Sequence, residues 1–317
     1  LIEVVRGGLL TTVQDLGRAG FRALGVPAGG ALDGVSLRVA NLLVGNLEGA
    51  GALEVTLRGP SLRFQADGVV ALAGAPGPLT LDGVPAPFCA PLTVRAGQLL
   101  QLGALQSGAR AYLAVRGGLR AWDVLGSRAT DLRGAFGGFE GRALRRGDAL
   151  SVEASGARPA VPRLRVAPEL VANAAPVTVL RALAGPEESD LDWTAHEWTV
   201  GPASDRMGLR LHGPLLRAPP AAGASEAVVP GVVQLPPNGQ PIVLLADAGT
   251  HGGYARPLVV IRADLPRAGQ LRPGDRMRFE RVTFPEARAA LARQEALLRT
   301  LRVAVQYAYV RAEQHQP

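Results

Sequence analysis

The side chains best suited to chemistry fall in three short segments. The richest reads SEAVVPGVVQLPPNGQPIVLLADAGTHGGYARPLVVIRADL. Gln234, Asn238 and Gln240 bracket a Pro-Pro-Asn-Gly turn, and Asp247, Thr250 and Tyr254 surround Gly252-Gly253. Amides and hydroxyls at strand ends suit the reading of a small planar polar group such as an amide, urea or lactam. Each residue alone has a plainer role, a hairpin turn for Asn238-Gly239 and a loop cap for Asp247. Their density points to a site. The second segment, SDRMGLRL, holds Ser204, Asp205, Arg206 and Arg210. Its arginines form either a structural ion pair or a forked cationic site for carboxylate or phosphate. The third holds Gln14, Asp15 and Arg18 in TTVQDLGRAG, followed by Asp33, Ser36 and Asn41. Asp33 is either a helix N-cap or a site residue; Asn41, inside that helix, has no capping role to explain it.

Other chemistries lack their residues. The histidines, His196, His212, His251 and His315, are never three or four apart, and Cys89 is the sole cysteine, so no zinc-type spacing exists and no metal is expected. There is no Gly-x-Ser-x-Gly elbow, and Cys89 in PFCAP reads as a buried structural thiol. The 317-residue chain contains no lysine, which removes a Walker A lysine, a Schiff base and covalent biotin at once. Arginine alone carries the net charge of +7. Those arginines are scattered singly, without interleaved aromatics, so nucleic acid is not expected as a partner. No apolar run reaches the roughly 18 residues of a membrane span, and the first residues lack a signal-peptide order. With one cysteine, the expected location is the cytoplasm.

The elements that must position these residues are mostly short strands. Val69–Ala73, Leu99–Leu102, Ala111–Val115, Val177–Leu180 and Ile242–Leu245 are apolar runs bounded by Gly, Pro, Asn or Asp. Gly 40 and Pro 25 punctuate the chain, and many short strands with such turns point to barrels or sandwiches. Two helices stand out. One follows Asp33 and stops at Gly45. The other is TFPEARAALARQEALLRTL, with Thr283 and Glu286 as a capping box and Pro285 in the first turn. From Arg302 the chain reads either as a strand or as more helix. Ala, Gly and Pro concentrate around 154–170, as in a linker. A faint repeat flanks it, Gly20, Arg22 and Gly25 matching Gly208, Arg210 and Gly213.

At these segments the chain resembles the carboxyltransferase-domain family, also called allophanate hydrolase subunit 2 or kinase-inhibitor antagonist. The motifs run from GLLTTVQDLGRAGFRALGVPAGGALD through ALEVTLRGPSLRF, VLGSRATDLRGAFGG and SDRMGLRL to GVVQLPPNGQPIVLLADAGTHGGY and QLRPGDRMRF. The resemblance implies an all-β fold of two cyclophilin-like barrel halves, over 1–155 and 165–282, with a C-terminal helix and tail over 283–317. It implies a subunit of an ATP-dependent 5-oxoprolinase, working with a small cyclophilin-like partner and a barrel-type third subunit. Two other roles occur in the family: a biotin-dependent carboxyltransferase acting on urea or a similar amide, its carrier in trans, and a regulator that antagonises a kinase inhibitor. On the first reading Asp15, Asp33 or Asp247 handles protons. Arg206, Arg210 or Arg18 holds carboxylate or phosphate, and Gln234 and Asn238 read the amide edge, ATP being bound here or with a partner. Gln14, Asn41, Ser204, Asp205, Gln240, Thr250 and Tyr254 complete the expected contacts. One departure stands in LAGAPGPL, where Pro76 replaces the acid usual in the family.

Overall fold

The computed structural model describes residues 1–153, 161–167, 176–187, 193–217 and 225–314. Most of the linker expected at 154–170, and His315, lie outside them. The chain divides into two compact units: Leu1–Gly17 with Asp33–Asn173 and Leu297–Pro317, and Arg18–Leu32 with Ala174–Ala296. Both are built mainly of β-structure, as the strand-length apolar runs imply.

The first unit opens with β1 (Ile2–Arg6), β2 (Leu10–Gln14), α1 (Gly34–Leu43), β3 (Ala52–Thr56), β4 (Ser61–Phe64), β5 (Gly68–Gly74) and β6 (Leu79–Leu81). It continues with β7 (Val84–Pro85), β8 (Leu92–Val94), β9 (Leu99–Leu102), β10 (Arg110–Val115), β11 (Leu119–Arg120) and β12 (Ala149–Val152). These make two sheets, ordered β11-β12-β1-β4-β9-β6-β7 and β2-β3-β10-β5-β8. Ile2, Leu62 and Leu100 from one sheet share a core with Leu53, Leu72 and Leu113 from the other. Alternation along a strand sends every second residue to that core. Central β10 is nonetheless buried throughout, because α1 packs on its other face and on β5. That face presents Tyr112, whose hydroxyl accepts the Asp33 amide and donates to Glu54.

The second unit comprises β13 (Val177–Ala184), β14 (Glu197–Val200), β15 (Gly208–His212), β16 (Glu226–Ala227), β17 (Val232–Leu235), β18 (Ile242–Leu244), β19 (His251–Gly252) and β20 (Ala255–Val260). The short α2 (Leu265–Gln270), not anticipated from sequence, and β21 (Arg276–Arg281) follow. Seven strands close into a barrel, β13-β20-β17-β18-β15-β14-β21, sealed by parallel pairing of β13 with β21. Its interior takes one face of each strand: Leu180, Leu209, Leu211, Met277 and Phe279 point in, around Trp198. Beyond the barrel, β16 and β19 pair in a small ribbon. Leu32 belongs to this core, and the Gly29 amide donates to the Ala246 carbonyl, which ties residues 18–32 to the second unit.

Local signals explain both long helices. Asp33 caps α1, one oxygen accepting the Ser36 amide at 2.9 Å and the other its hydroxyl at 2.5 Å. The final helix, α3 (Phe284–Gln314), starts on the expected box, Glu286 accepting from the amide and hydroxyl of Thr283. It runs unbroken through Arg302, which resolves the open reading of the tail as helix. The alternating Val303, Val305 and Tyr307 imitate a strand, but burial follows a seven-residue step, Leu298 and Val305, as a helix requires. Asp33→Ala should lower stability by about 1 kcal/mol, read in thermal unfolding, because one cap is lost while the packed face of α1 remains. A change under about 0.3 kcal/mol would count against the cap.

Candidate functional site

In the first unit, the candidate polar residues are consumed by structure. Asp15 follows β2 and accepts from the amides of Gly17 and Arg128 and the Ser127 hydroxyl, at 2.8, 2.6 and 2.7 Å. Gln14 donates to the Thr12 hydroxyl and the Thr130 carbonyl, both at 3.1 Å, leaving its own carbonyl oxygen buried without a partner. Asn41, expected to lack a structural role, has one. Its amide donates to the Glu48 and Ala50 carbonyls and accepts from Asn46, clamping the loop after α1. With Asp33 capping α1, all four side chains position backbone. Pro76, after β5, offers its carbonyl to the Gln106 amide.

In the second unit Arg206 and Asp247 meet as a two-pronged ion pair at 2.7 and 2.9 Å, 5% and 9% exposed. Arg206 also donates to the Gly30 carbonyl at 2.7 Å. The ion-pair alternative therefore describes this arginine, closed onto a carboxylate within the fold. Arg210 does not join it, because β15 turns Leu209 and Leu211 inward and leaves Arg210 exposed. Ser204 and Asp205 accept backbone amides of the same turn, from Arg210 for the hydroxyl and from Met207 and Gly208 for the carboxylate. Asn238 accepts the Gln240 amide in a turn closed by Gly239 at φ 72°, and Gln240 bonds both backbone groups of Gly213. Arg18 is buried, and its amide closes the 18–28 loop on Ala28.

In the second unit, the turn beside Gln234 also keeps uncommitted polar groups among the described residues. Gln234 sits where the β17–β20 register shifts, and a bulge of this kind re-aims a side chain. It is 7% exposed, yet its amide bonds no described residue. The amide lies against Gly252, where a Cβ would fall 2.2 Å from Nε2 and would push the end of the Gln234 side chain aside. Around the same turn, Thr250 bonds the His251 ring at 2.9 Å, and Tyr254 is 45% exposed. Arg22 reaches in from a 3-10 turn, Arg22–Leu24, and donates to the Val228 and Gly249 carbonyls. Arg256 grips Glu187 and Glu226, and that pairing holds the Glu187 carboxyl below its usual range. Arg22 and His251 are not among the site residues expected from sequence. The repeat Gly20-Arg22-Gly25 is the one sequence signal for Arg22, and nothing marks His251.

Residues 24–281 match the carboxyltransferase domain, subdomains A and B. The chain belongs to this family. Across 93% of its length, this carboxyltransferase-domain chain is 41% identical to the C subunit of Escherichia coli 5-oxoprolinase, covering 96% of that protein. Identity to the C subunit of the Haemophilus influenzae 5-oxoprolinase is 38%, over 95% of the chain and 98% of the relative. Among solved structures, the Kluyveromyces lactis urea carboxylase superposes with a TM-score of 0.87 at 31% identity, over 95% of this chain but 29% of that one. The family's all-β architecture is thus the architecture of this chain. No helix among the described residues is long and apolar enough to cross a membrane.

Proposed function

We propose that this chain is a subunit of an ATP-dependent 5-oxoprolinase, and that the Gln234 neighbourhood contacts the substrate. End-to-end similarity to two 5-oxoprolinase C subunits carries the reading, since the chain spans nearly the whole of each. The reaction adds water across the lactam C–N bond of 5-oxoproline. Oxygen joins the carbonyl carbon, the ring nitrogen takes the proton, and glutamate leaves, while a second water takes ATP to ADP and phosphate. A lactam is a stabilised amide, so ring opening needs the carbonyl activated. The Gln234 amide can accept from the lactam N–H or donate to its carbonyl.

Asp15, Asp33 and Asp247 act here as positioning residues, because each carboxylate is engaged by donors within its own unit. The buried Arg206 and Arg256 are closed onto carboxylates, which supports placing ATP with the partner subunits. A second reading, carboxyl transfer to an amide, rests on the likeness to urea carboxylase, and the lysine-free chain would then need its biotin carrier in trans. Co-expression with the two expected partners should give ATP-dependent glutamate release from 5-oxoproline. Gln234→Leu should cut turnover about tenfold with an unchanged melting temperature. A fully assembled complex that releases no glutamate would remove this reading.

A further inference from the structure

Arg22 is a cation with no countercharge among the described residues. Its Nη2 donates to two backbone carbonyls, Val228 and Gly249, while its Nη1 is buried with no hydrogen-bond partner. No ion pair joins it to a described acid. The acids of this segment are already taken, Asp247 by Arg206 and Glu226, paired opposite Gly252, by Arg256. Burial lowers the Arg22 pKa from its ordinary value, as desolvation without a compensating anion does. Such a group is costly to hold and gains strongly from an incoming carboxylate.

Gln234 borders the same turn. Arg22 bonds its start at Gly249, and the Gln234 amide rests on Gly252. Val228 joins the two, giving its carbonyl to Arg22 and its side chain to the face of Gly252. A guanidinium short of an anion and an unengaged amide therefore flank one small turn. Arg22 is only half-buried, so part of its side chain faces solvent.

We propose that Arg22 is a carboxylate-binding subsite, whose ligand is a small cyclic amide bearing a carboxylate, its amide end facing Gln234 across the 249–252 turn. This rests on the oxoprolinase reading and adds to it the basis of selectivity. A lactam without a carboxylate, or urea, leaves Arg22 unpaired and binds weakly.

The test is calorimetric binding to the co-expressed complex, comparing 5-oxoproline, its neutral methyl ester and 2-pyrrolidinone. 5-Oxoproline should bind about tenfold or more tightly than either neutral lactam. Arg22→Met should erase that preference while leaving 2-pyrrolidinone affinity unchanged, and Arg22→Lys should restore part of it. Equal affinity of the unaltered complex for acid and ester would overturn the subsite, whether or not the variants fold. So would Arg22→Met binding 5-oxoproline as before, or a complex that binds no lactam. Glutamate release followed in parallel separates the two ideas. Arg22-dependent binding without turnover removes the reaction and keeps the subsite; turnover with an unchanged KM in Arg22→Met does the reverse.

Discussion

Arg206→Met should destabilise the protein by about 3–5 kcal/mol, and Asp247→Leu by a similar amount. Each takes a two-pronged partner from a buried charge, and Arg206→Met also frees the Gly30 carbonyl. The double variant should cost much less than the sum, because removing both charges also removes the desolvation they required. Urea unfolding of the three variants gives the coupling directly, expected at about 2–3 kcal/mol. Additive costs would mean that the pair is not a unit. Activity should fall in step with folded protein, since Arg206 works by fastening residues 29–30 to the Ala246–Asp247 strand end.

Tyr112→Phe should cost about 3 kcal/mol at neutral pH, from one oxygen atom. That hydroxyl accepts the Asp33 amide at 2.8 Å and donates to Glu54 at 2.7 Å, so its loss removes a hydrogen bond from a buried amide and another from a buried carboxylate together. The same site predicts an alkaline signature. Burial, with Glu54 and Asp33 beside it, raises the Tyr112 pKa well above 10. The folded chain therefore keeps a proton that the unfolded chain releases above about pH 10, and stability falls as pH rises past that point. Unfolding free energies at about pH 8 and about pH 10.5 should converge between wild type and Tyr112→Phe. Parallel pH profiles would show that the phenol is not held neutral by the fold.

What the residue order makes legible is local. Asp33 three residues before Ser36, and Thr283 three before Glu286, place an acceptor within one turn of an orphan amide, and both caps form. Asn238-Gly239 makes its turn for the same reason, and Cys89, between prolines, is buried. Asn41 misleads because its partners, at Asn46, Glu48 and Ala50, follow after the helix has turned the chain back on itself. Arg210 misleads because its nearness to Arg206 in the chain masks the strand alternation visible in LRL.

Residue order by itself determined the class of fold, the helix starts, the hairpin turns and the absence of any lysine chemistry, since these follow from periodicity, one-turn hydrogen bonds and composition. Tertiary structure alone decided which charges are spent. Arg206 and Asp247 lie far apart in the chain, and the antiparallel pairing of β15 with β18 brings them together. Arg22, from a segment that joins the second unit, finds carbonyls there and no acid among the described residues. Burial makes an unmatched charge costly and a matched one inert, and burial is a property of the folded whole.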